Sequence, residues 1–320
     1  MSAAGPIAQC RCCGGAFAFT FDVPSWRNEG WPTFRYGECG VCQSLTLADD
    51  FDPVSFHDDP VSRHAPALPA ASALRRVVGA VAHRSVMASL PGENALAAAI
   101  RRPEWLLWFA GSGLSLRTPI LDLGAGSGDR LLELRRWGFS DLTGCDPSLV
   151  ADSTPAPGVR LLAKPMDAVE RTGFGAIIFH HSLEHADDPL ERLVVARERL
   201  GGAGSRVVVA LPVAQGRVWE EYRDNWVALD APLHRWIPTM RGLRLLSARA
   251  GFDVGRATGT CTESHLVSSE LVARRIPLSV DPRSVLSAGE LRDLHGRTRS
   301  LRHPDNAPQV SIVLTPRAES

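Results

Sequence analysis

Residues Ile120 to Asp129 read Ile-Leu-Asp-Leu-Gly-Ala-Gly-Ser-Gly-Asp, an apolar strand that ends in a Gly-x-Gly-x-Gly turn and runs at once into a helical pattern over 130–137. Glycine is needed where the backbone takes positive φ or lies against a ligand with no Cβ between them. A strand, glycine turn and helix in this order constrain the chain to an α/β sheet with a nucleotide-type ligand at the carboxyl ends of its strands. A pyrophosphate site carries a further glycine three residues after the second, and here that position is Asp129. The turn therefore fits S-adenosylmethionine, which has no phosphate to cradle, better than a dinucleotide.

A second apolar segment, Asp141 to Cys145, ends in Asp146, 22 residues after Gly124. An acidic residue at the tip of the second strand accepts hydrogen bonds from both ribose hydroxyls. Further on, Phe174-Gly-Ala-Ile-Ile-Phe-His-His-Ser-Leu-Glu-His185 is a buried strand followed by Leu-Glu-His, then Asp188-Pro189 and an amphipathic helix. With these residues the chain resembles the class I S-adenosylmethionine-dependent methyltransferases, specifically bacterial small-molecule enzymes with Leu-Glu-His after the fourth strand. Leu229-Asp-Ala-Pro-Leu-His234 and the stretch from Met240 to Phe252 are similar to the family's acceptor-side insertion and the helix before strand six. Ser268 to Leu278 is similar to a segment in relatives from sugar and natural-product pathways. The resemblance covers most of residues 115–316 and implies a Rossmann-like, seven-stranded α/β sheet whose last strand is antiparallel.

The strand and helix patterns agree with that implication. Strands are expected at 119–123, 141–145, 159–163, 175–180, 206–211, 253–260 and 310–315, with helices at 129–138 and 189–200. A chain of 320 residues is long enough for this sheet and a smaller unit besides. We expect a zinc-ribbon-like module over 1–50, a linker and helical cap over 51–116, and the cofactor-binding domain over 117–320 with an insertion at about 212–240. The linker is His64 to Ala70, and helical periodicity follows over Ala71 to Leu90 and Gly92 to Phe109, broken by Pro91.

The small N-terminal unit is read from cysteines. Four of the seven form two knuckles, Cys10-Arg-Cys-Cys13 and Cys39-Gly-Val-Cys42, separated by a stretch able to form a hairpin. Thiolates at Cys-x-x-Cys spacing can each fill two corners of a tetrahedron, which makes Cys10, Cys13, Cys39 and Cys42 the expected ligands of a structural zinc ion. Two disulfides are the alternative. Cys12 lies too close to Cys10 for the usual knuckle, and Cys145 and Cys261 read as small core residues. Trp26, Trp31, Phe34 and Tyr36 either make a wall of the acceptor pocket or simply pack the ribbon; the resemblance favours the wall, because some sugar C-methyltransferases carry a similar zinc-binding module near the acceptor.

Basic and acidic residues balance at 35 each, which argues against wide contact with a nucleic-acid backbone. Met1 to Cys10 shows neither a basic start nor an apolar run, and no segment approaches the roughly 18 apolar residues of a membrane span, so a cytoplasmic protein is expected.

Methyl transfer needs the acceptor aligned and its proton removed, and histidine titrates near pH 7. His185 is the first candidate base, since the carboxyl end of the fourth strand faces the ligand and the resemblance places a base there; the other reading is a loop cap bonded to backbone. Glu184 either orients it or touches the acceptor. His234, in the insertion, is the second candidate; His181 is the third, and its other reading is a buried neighbour. Tyr222, Trp226, Arg235 and Trp236 either stack on an acceptor or pack the insertion, while Glu220, Glu221 and Asp224 read as a solvated face. On the cofactor side the resemblance assigns Asp122 to the methionine end, Gly124, Ala125, Gly126 and Gly128 to the turn and Asp146 to the ribose, with Pro147 and His180 beside them. The adenine contacts are sought near Lys164 to Asp167. The expected acceptor is a small molecule, a sugar or other secondary metabolite, methylated on oxygen or carbon. The alternatives are RNA or protein gripped by the ribbon, and a non-catalytic cofactor-binding partner subunit.

Overall fold

The structure is a computed structural model, and it describes residues 7–28, 30–51, 108–109, 114–202 and 204–318. The expected linker and nearly all of the helical cap lie outside the described residues.

Eight strands form one sheet in the order β11-β12-β9-β8-β4-β5-β7-β6. They are β4 (Ile120–Leu123), β5 (Leu142–Cys145), β6 (Ser153–Ala156), β7 (Val159–Leu162), β8 (Ala176–His180), β9 (Arg206–Pro212), β11 (Phe252–Thr260) and β12 (Gln309–Pro316). All seven expected strands are present within two residues of their expected ends, and β6 adds a short antiparallel edge beside β7. The β4–β5, β5–β7, β4–β8 and β8–β9 ladders are parallel, and β12 runs antiparallel to both β9 and β11. The central strands are apolar runs rather than alternating ones because helices cover both faces; every residue of β9 is buried.

The helices start where local chemistry dictates. Helix α1 (Asp129–Arg136) begins at Gly128, with Asp129 in its first turn and Arg135 and Arg136 in its last, which complements the helix dipole. Helix α2 (Pro189–Arg199) begins with Pro189, and the Asp188 carboxylate accepts from the amide of Glu191. Helix α3 (Gly216–Tyr222) opens the insertion, α4 (Met240–Arg249) leads into β11, and α5 (Glu263–Ala273) and α6 (Ala288–Arg297) lie between β11 and β12. Tyr222, Trp219, Trp226, Leu266 and Leu271 join in one apolar cluster, so α5 packs on the insertion.

The N-terminal ribbon is a second sheet in the order β1-β2-β3-β10. The hairpin of β1 (Phe17–Pro24) and β2 (Thr33–Cys39) separates the two knuckles as expected, and β3 (Leu45–Leu47) pairs with β2. Its fourth strand comes from the insertion: β10 (Trp236–Ile237) pairs antiparallel with β3, Trp236 opposite Thr46 and Ile237 opposite Leu45. Among the described residues no helix is long and apolar enough to cross a membrane.

Candidate active site

The three turn glycines all have positive φ, 75° at Gly124, 52° at Gly126 and 85° at Gly128. A Cβ on Gly124 would lie 2.5 Å from the Ser182 Cβ, whereas one on Gly126 would meet nothing within 4 Å. The turn is thus pressed onto the β8 loop at one glycine and open at the next. Asp146 stitches the turn: one carboxylate oxygen accepts from the Gly126 amide at 2.9 Å, and the other from the amide and hydroxyl of Ser148.

A cavity of about 510 Å³ opens here at the carboxyl ends of β4, β5 and β8. Gly124, Gly126, Asp146 and Pro147 lie along one side of it, and His181, His185, Leu233 and Arg235 also line it. That volume lies within the range of small-molecule sites. Asp122 sits at the end of β4, 2 % exposed, and its Oδ1 has no hydrogen-bond partner. Burial pushes its carboxyl up to about 7. An open glycine face and a cavity of this size fit a ligand carrying an adenosyl group, while the unpartnered Asp122 oxygen is buried next in sequence to the lining residue Leu123 and does not itself line the cavity. Pro165 and Met166, just after β7, also line the cavity, while Asp167 is exposed and paired with Arg192 at 2.8 Å. His180 is held elsewhere: its Nε2 accepts from Arg130 at 2.8 Å, its ring lies 5.9 Å from that of Trp108, and burial pushes it down to about 3.

The candidate bases converge. Leu183 to His185 form a single 3₁₀ turn after β8, and Glu184, His185 and His234 each place a polar atom within 4.8 Å of the other two. A carbonyl only accepts, so the contact of His185 Nδ1 with the Leu233 oxygen at 3.0 Å makes Nδ1 a protonated nitrogen and, in the neutral ring, places the lone pair on Nε2. His234 is locked the same way, Nδ1 donating to the Ala228 oxygen at 2.8 Å. Its Nε2 lies 3.9 Å from Asp230 and 4.0 Å from Glu184. His185 is exposed and lines the cavity; His234 is 8 % exposed, and burial pushes it below its ordinary value. Glu184 is fully buried with Oε1 3.4 Å from His181 Nδ1. Burial alone drives Glu184 up, but the His181 contact and the adjacent His234 and His185 outweigh it and bring the carboxyl down to about 2.

Two expectations need correction. Glu184 has no exposed surface with which to touch an acceptor, and its nearest histidines are His181 and His234. His181 is 40 % exposed at the side chain, takes a left-handed φ of 53°, lines the cavity and accepts from Gln309 at 2.8 Å, so it is no buried neighbour.

The aromatic residues pack rather than wall the cavity. Tyr222, Trp226 and Trp236 are buried, Tyr36 is fully buried, and no described ribbon residue lines the cavity. Arg235 does line it, while its guanidinium donates to the Phe51 oxygen at 2.6 Å. Met166 lies in the stretch from Lys164 to Asp167 where the adenine contacts are sought, while Leu233 and Phe179 are lining residues that sequence reasoning missed.

In the ribbon, the Sγ atoms of Cys10, Cys13, Cys39 and Cys42 lie within 4.8 Å of one another, and three of the pairs are at 3.5 Å. A tetrahedron of thiolates around zinc has edges of about 3.8 Å, so the donor set fits that ion. The amides of Val41 and Cys42 point at the Cys39 sulfur, at 3.4 and 3.5 Å. Cys12 is buried on the side of Gly242 in α4, and Cys145 and Cys261 are buried core residues.

A family model described as a methyltransferase domain matches residues 93–256, more than half of the chain. The chain belongs to the methyltransferase domain family. It is an S-adenosylmethionine-dependent methyltransferase by that membership. Among solved structures, the methyltransferase is similar to a SAM-dependent methyltransferase from Thermotoga maritima at 15 % identity and a TM-score of 0.41, over 65 % of this chain and 86 % of that one. It is also similar to an N,N-8-amino-8-demethyl-D-riboflavin dimethyltransferase from Streptomyces davawensis at 23 % identity and a TM-score of 0.36, over 44 % and 45 % of the two chains. Neither likeness bears on what this methyltransferase acts upon. No curated protein matches the chain significantly.

Proposed function

We propose that the enzyme methylates a hydroxyl or carbon of a small molecule, a sugar or another secondary metabolite, with His185 as the general base. One observation carries the reading: His185 Nδ1 is committed to the Leu233 carbonyl, which in the neutral ring leaves the lone pair on Nε2, and this exposed ring lines the same cavity as Gly126 and Asp146. In the remaining roles Gly124, Ala125, Gly126 and Gly128 shape the cofactor's bed, Asp146 takes the ribose, Pro147 borders it, and Asp122 faces the methionine ammonium. S-adenosylmethionine, when bound, supplies a methyl group on a positively charged sulfur that is already a good leaving group. The protein's task is alignment and proton removal, which positioned groups accomplish without a metal at the reacting centre. His185 Nε2 takes the acceptor proton, and the imidazolium that forms keeps its Nδ1–H bond to Leu233. Glu184, ionised and buried behind His181 and His234, stabilises positive charge arriving in the cluster.

The ribbon fits a structural zinc held by Cys10, Cys13, Cys39 and Cys42, which lets a unit of this size persist with a small apolar core. The neutral charge balance supports a small acceptor over RNA. Purified protein with radiolabelled S-adenosylmethionine and host extract, separated into small molecules, RNA and protein, tests the proposal. Label in the small-molecule fraction supports it, and label in RNA or protein overturns it.

A further inference from the structure

We infer that Arg27 and Tyr36 of the ribbon are positioning residues for His185, acting through the loop that runs from Val227 to Trp236. The inference rests on the reading of His185 as the base, and it gives the ribbon a part in that site which is neither substrate contact nor simple stability.

The loop is held in part by its own bonds, the Leu233 and His234 amides donating to the Asp230 carbonyl, and by α5, where the Ser269 hydroxyl accepts from the Val227 amide. Between Tyr222 and Trp236 it contains only two one-turn 3₁₀ segments, and Asp230 has a left-handed backbone, φ 40° and ψ 46°, uncommon for a residue with a Cβ. The ribbon adds further constraints. The Arg27 guanidinium grips the Asp230 carboxylate with two hydrogen bonds, 2.5 and 2.7 Å, the planar fork-to-carboxylate geometry that fixes orientation as well as distance. The buried Tyr36 hydroxyl donates to the His234 carbonyl at 2.6 Å. Trp26 Nε1 donates to the Val227 carbonyl at 3.1 Å, and the Leu47 amide to the Arg235 carbonyl at 2.9 Å.

The same loop then fixes the turn that carries the base. The Arg235 amide donates to the Glu184 carbonyl at 2.8 Å, and Trp236 Nε1 donates to the Leu183 carbonyl at 3.0 Å. Leu233 offers the carbonyl that sets the His185 tautomer. The path from ribbon to base therefore has two short branches: Tyr36 to His234, whose ring abuts His185, and Arg27 to Asp230, whose carbonyl accepts the Leu233 amide at 2.9 Å. Loss of either anchor frees the Leu233 carbonyl to drift, and the His185 proton then divides between its two nitrogens.

Full-length protein as purified, with its histidine rings labelled with ¹⁵N, tests this by long-range proton–nitrogen NMR, which reads the tautomer of each neutral imidazole. In the unaltered enzyme His185 is expected as the Nδ1–H form alone. In Tyr36→Phe and Arg27→Met the expected result is a mixture of both tautomers at His185, with S-adenosylhomocysteine binding unchanged by calorimetry. Arg27→Lys, which keeps the charge without the fork, is expected in between. A pure Nδ1–H form at His185 in both variants overturns the inference. Tyr36→Phe removes one hydroxyl and fills the same space, so it stands as the test if Arg27→Met does not fold. His185→Gln separately reads the base: a full methylation rate there, beside a shifted tautomer in Tyr36→Phe, would retire the base and leave the coupling standing. Where turnover is followed, kcat in Tyr36→Phe is expected to fall by up to about a hundredfold with KM for S-adenosylmethionine unchanged.

Discussion

His185 and His234 meet edge to face, with ring centroids 4.9 Å apart and planes inclined at 66°. Both are locked as Nδ1–H donors to main-chain carbonyls, yet only His185 is exposed. The pair is thus asymmetric by environment: one imidazole can reach an acceptor, and the other is a buried brace against its edge.

That asymmetry sets the expected ranking of variants. His185→Gln should lower kcat by about 10² to 10⁴, the usual worth of a general base, without weakening S-adenosylhomocysteine binding. His234→Asn should lower it less and also lower the melting temperature, because it leaves the Ala228 carbonyl without its donor and removes an imidazole from beside Asp230 and Glu184. Initial rates of label transfer with calorimetry check both; equal rates for His185→Gln and wild type would remove His185 from its role.

Asp122 gives a prediction in pH. Its carboxyl is raised from 3.8 to about 7 by burial first, with the Asp146 charge adding and Arg130 opposing. The folded protein therefore holds a proton that the unfolded chain has lost between about pH 4 and pH 7, and stability falls as pH rises through that window. The span corresponds to roughly 4 kcal/mol. Asp122→Asn should flatten this part of the stability profile in urea titrations. If Asp122 faces the methionine ammonium, S-adenosylhomocysteine binding near pH 6 should release a proton, seen as a dependence of the calorimetric heat on buffer ionisation enthalpy.

The glycine turn separates fold from binding. Gly126→Ala meets no neighbouring atom, so it should cost only the left-handed backbone term, about 1 to 2 kcal/mol, while its methyl intrudes on the cavity and abolishes S-adenosylhomocysteine binding. Gly124→Ala drives a Cβ to 2.5 Å from Ser182 and should lower the melting temperature more than Gly126→Ala does. Thermal melts with and without the ligand distinguish the two.

Metal content tests the ribbon. Zinc measured by elemental analysis should be one equivalent in the purified enzyme and in Cys12→Ser, and should be lost in Cys13→Ser and Cys39→Ser with a fall in melting temperature. Retention of zinc in Cys39→Ser would overturn the ligand set.

Much of this was legible where the signal is local. The β4 run and its glycine turn are consecutive in the chain, the acidic tip at Asp146 closes the next strand, and His181, Glu184 and His185 fall within five consecutive residues, so short spacings brought them together. β10 was not legible, because two residues show no alternation and their partner in β3 is remote. The ribbon's grip on the site escaped for another reason: Tyr36 and Trp236 donate to main-chain carbonyls, which leave no trace in the identity of the accepting residue. The Arg27–Asp230 pair has side chains at both ends, but nothing in either neighbourhood points to the other.

The pairing of β3 with β10 also sets an order of events during synthesis. Leu45–Leu47 leaves the ribosome with one edge unsatisfied, and the residues that cover it, Trp236 and Ile237, follow 189 positions later. At translation rates of about 5 to 20 residues per second that delay is roughly 10 to 40 seconds. Among the described residues, none made in that interval pairs with this edge of β3, so fragments that end before residue 236 are expected to aggregate more readily than the full chain.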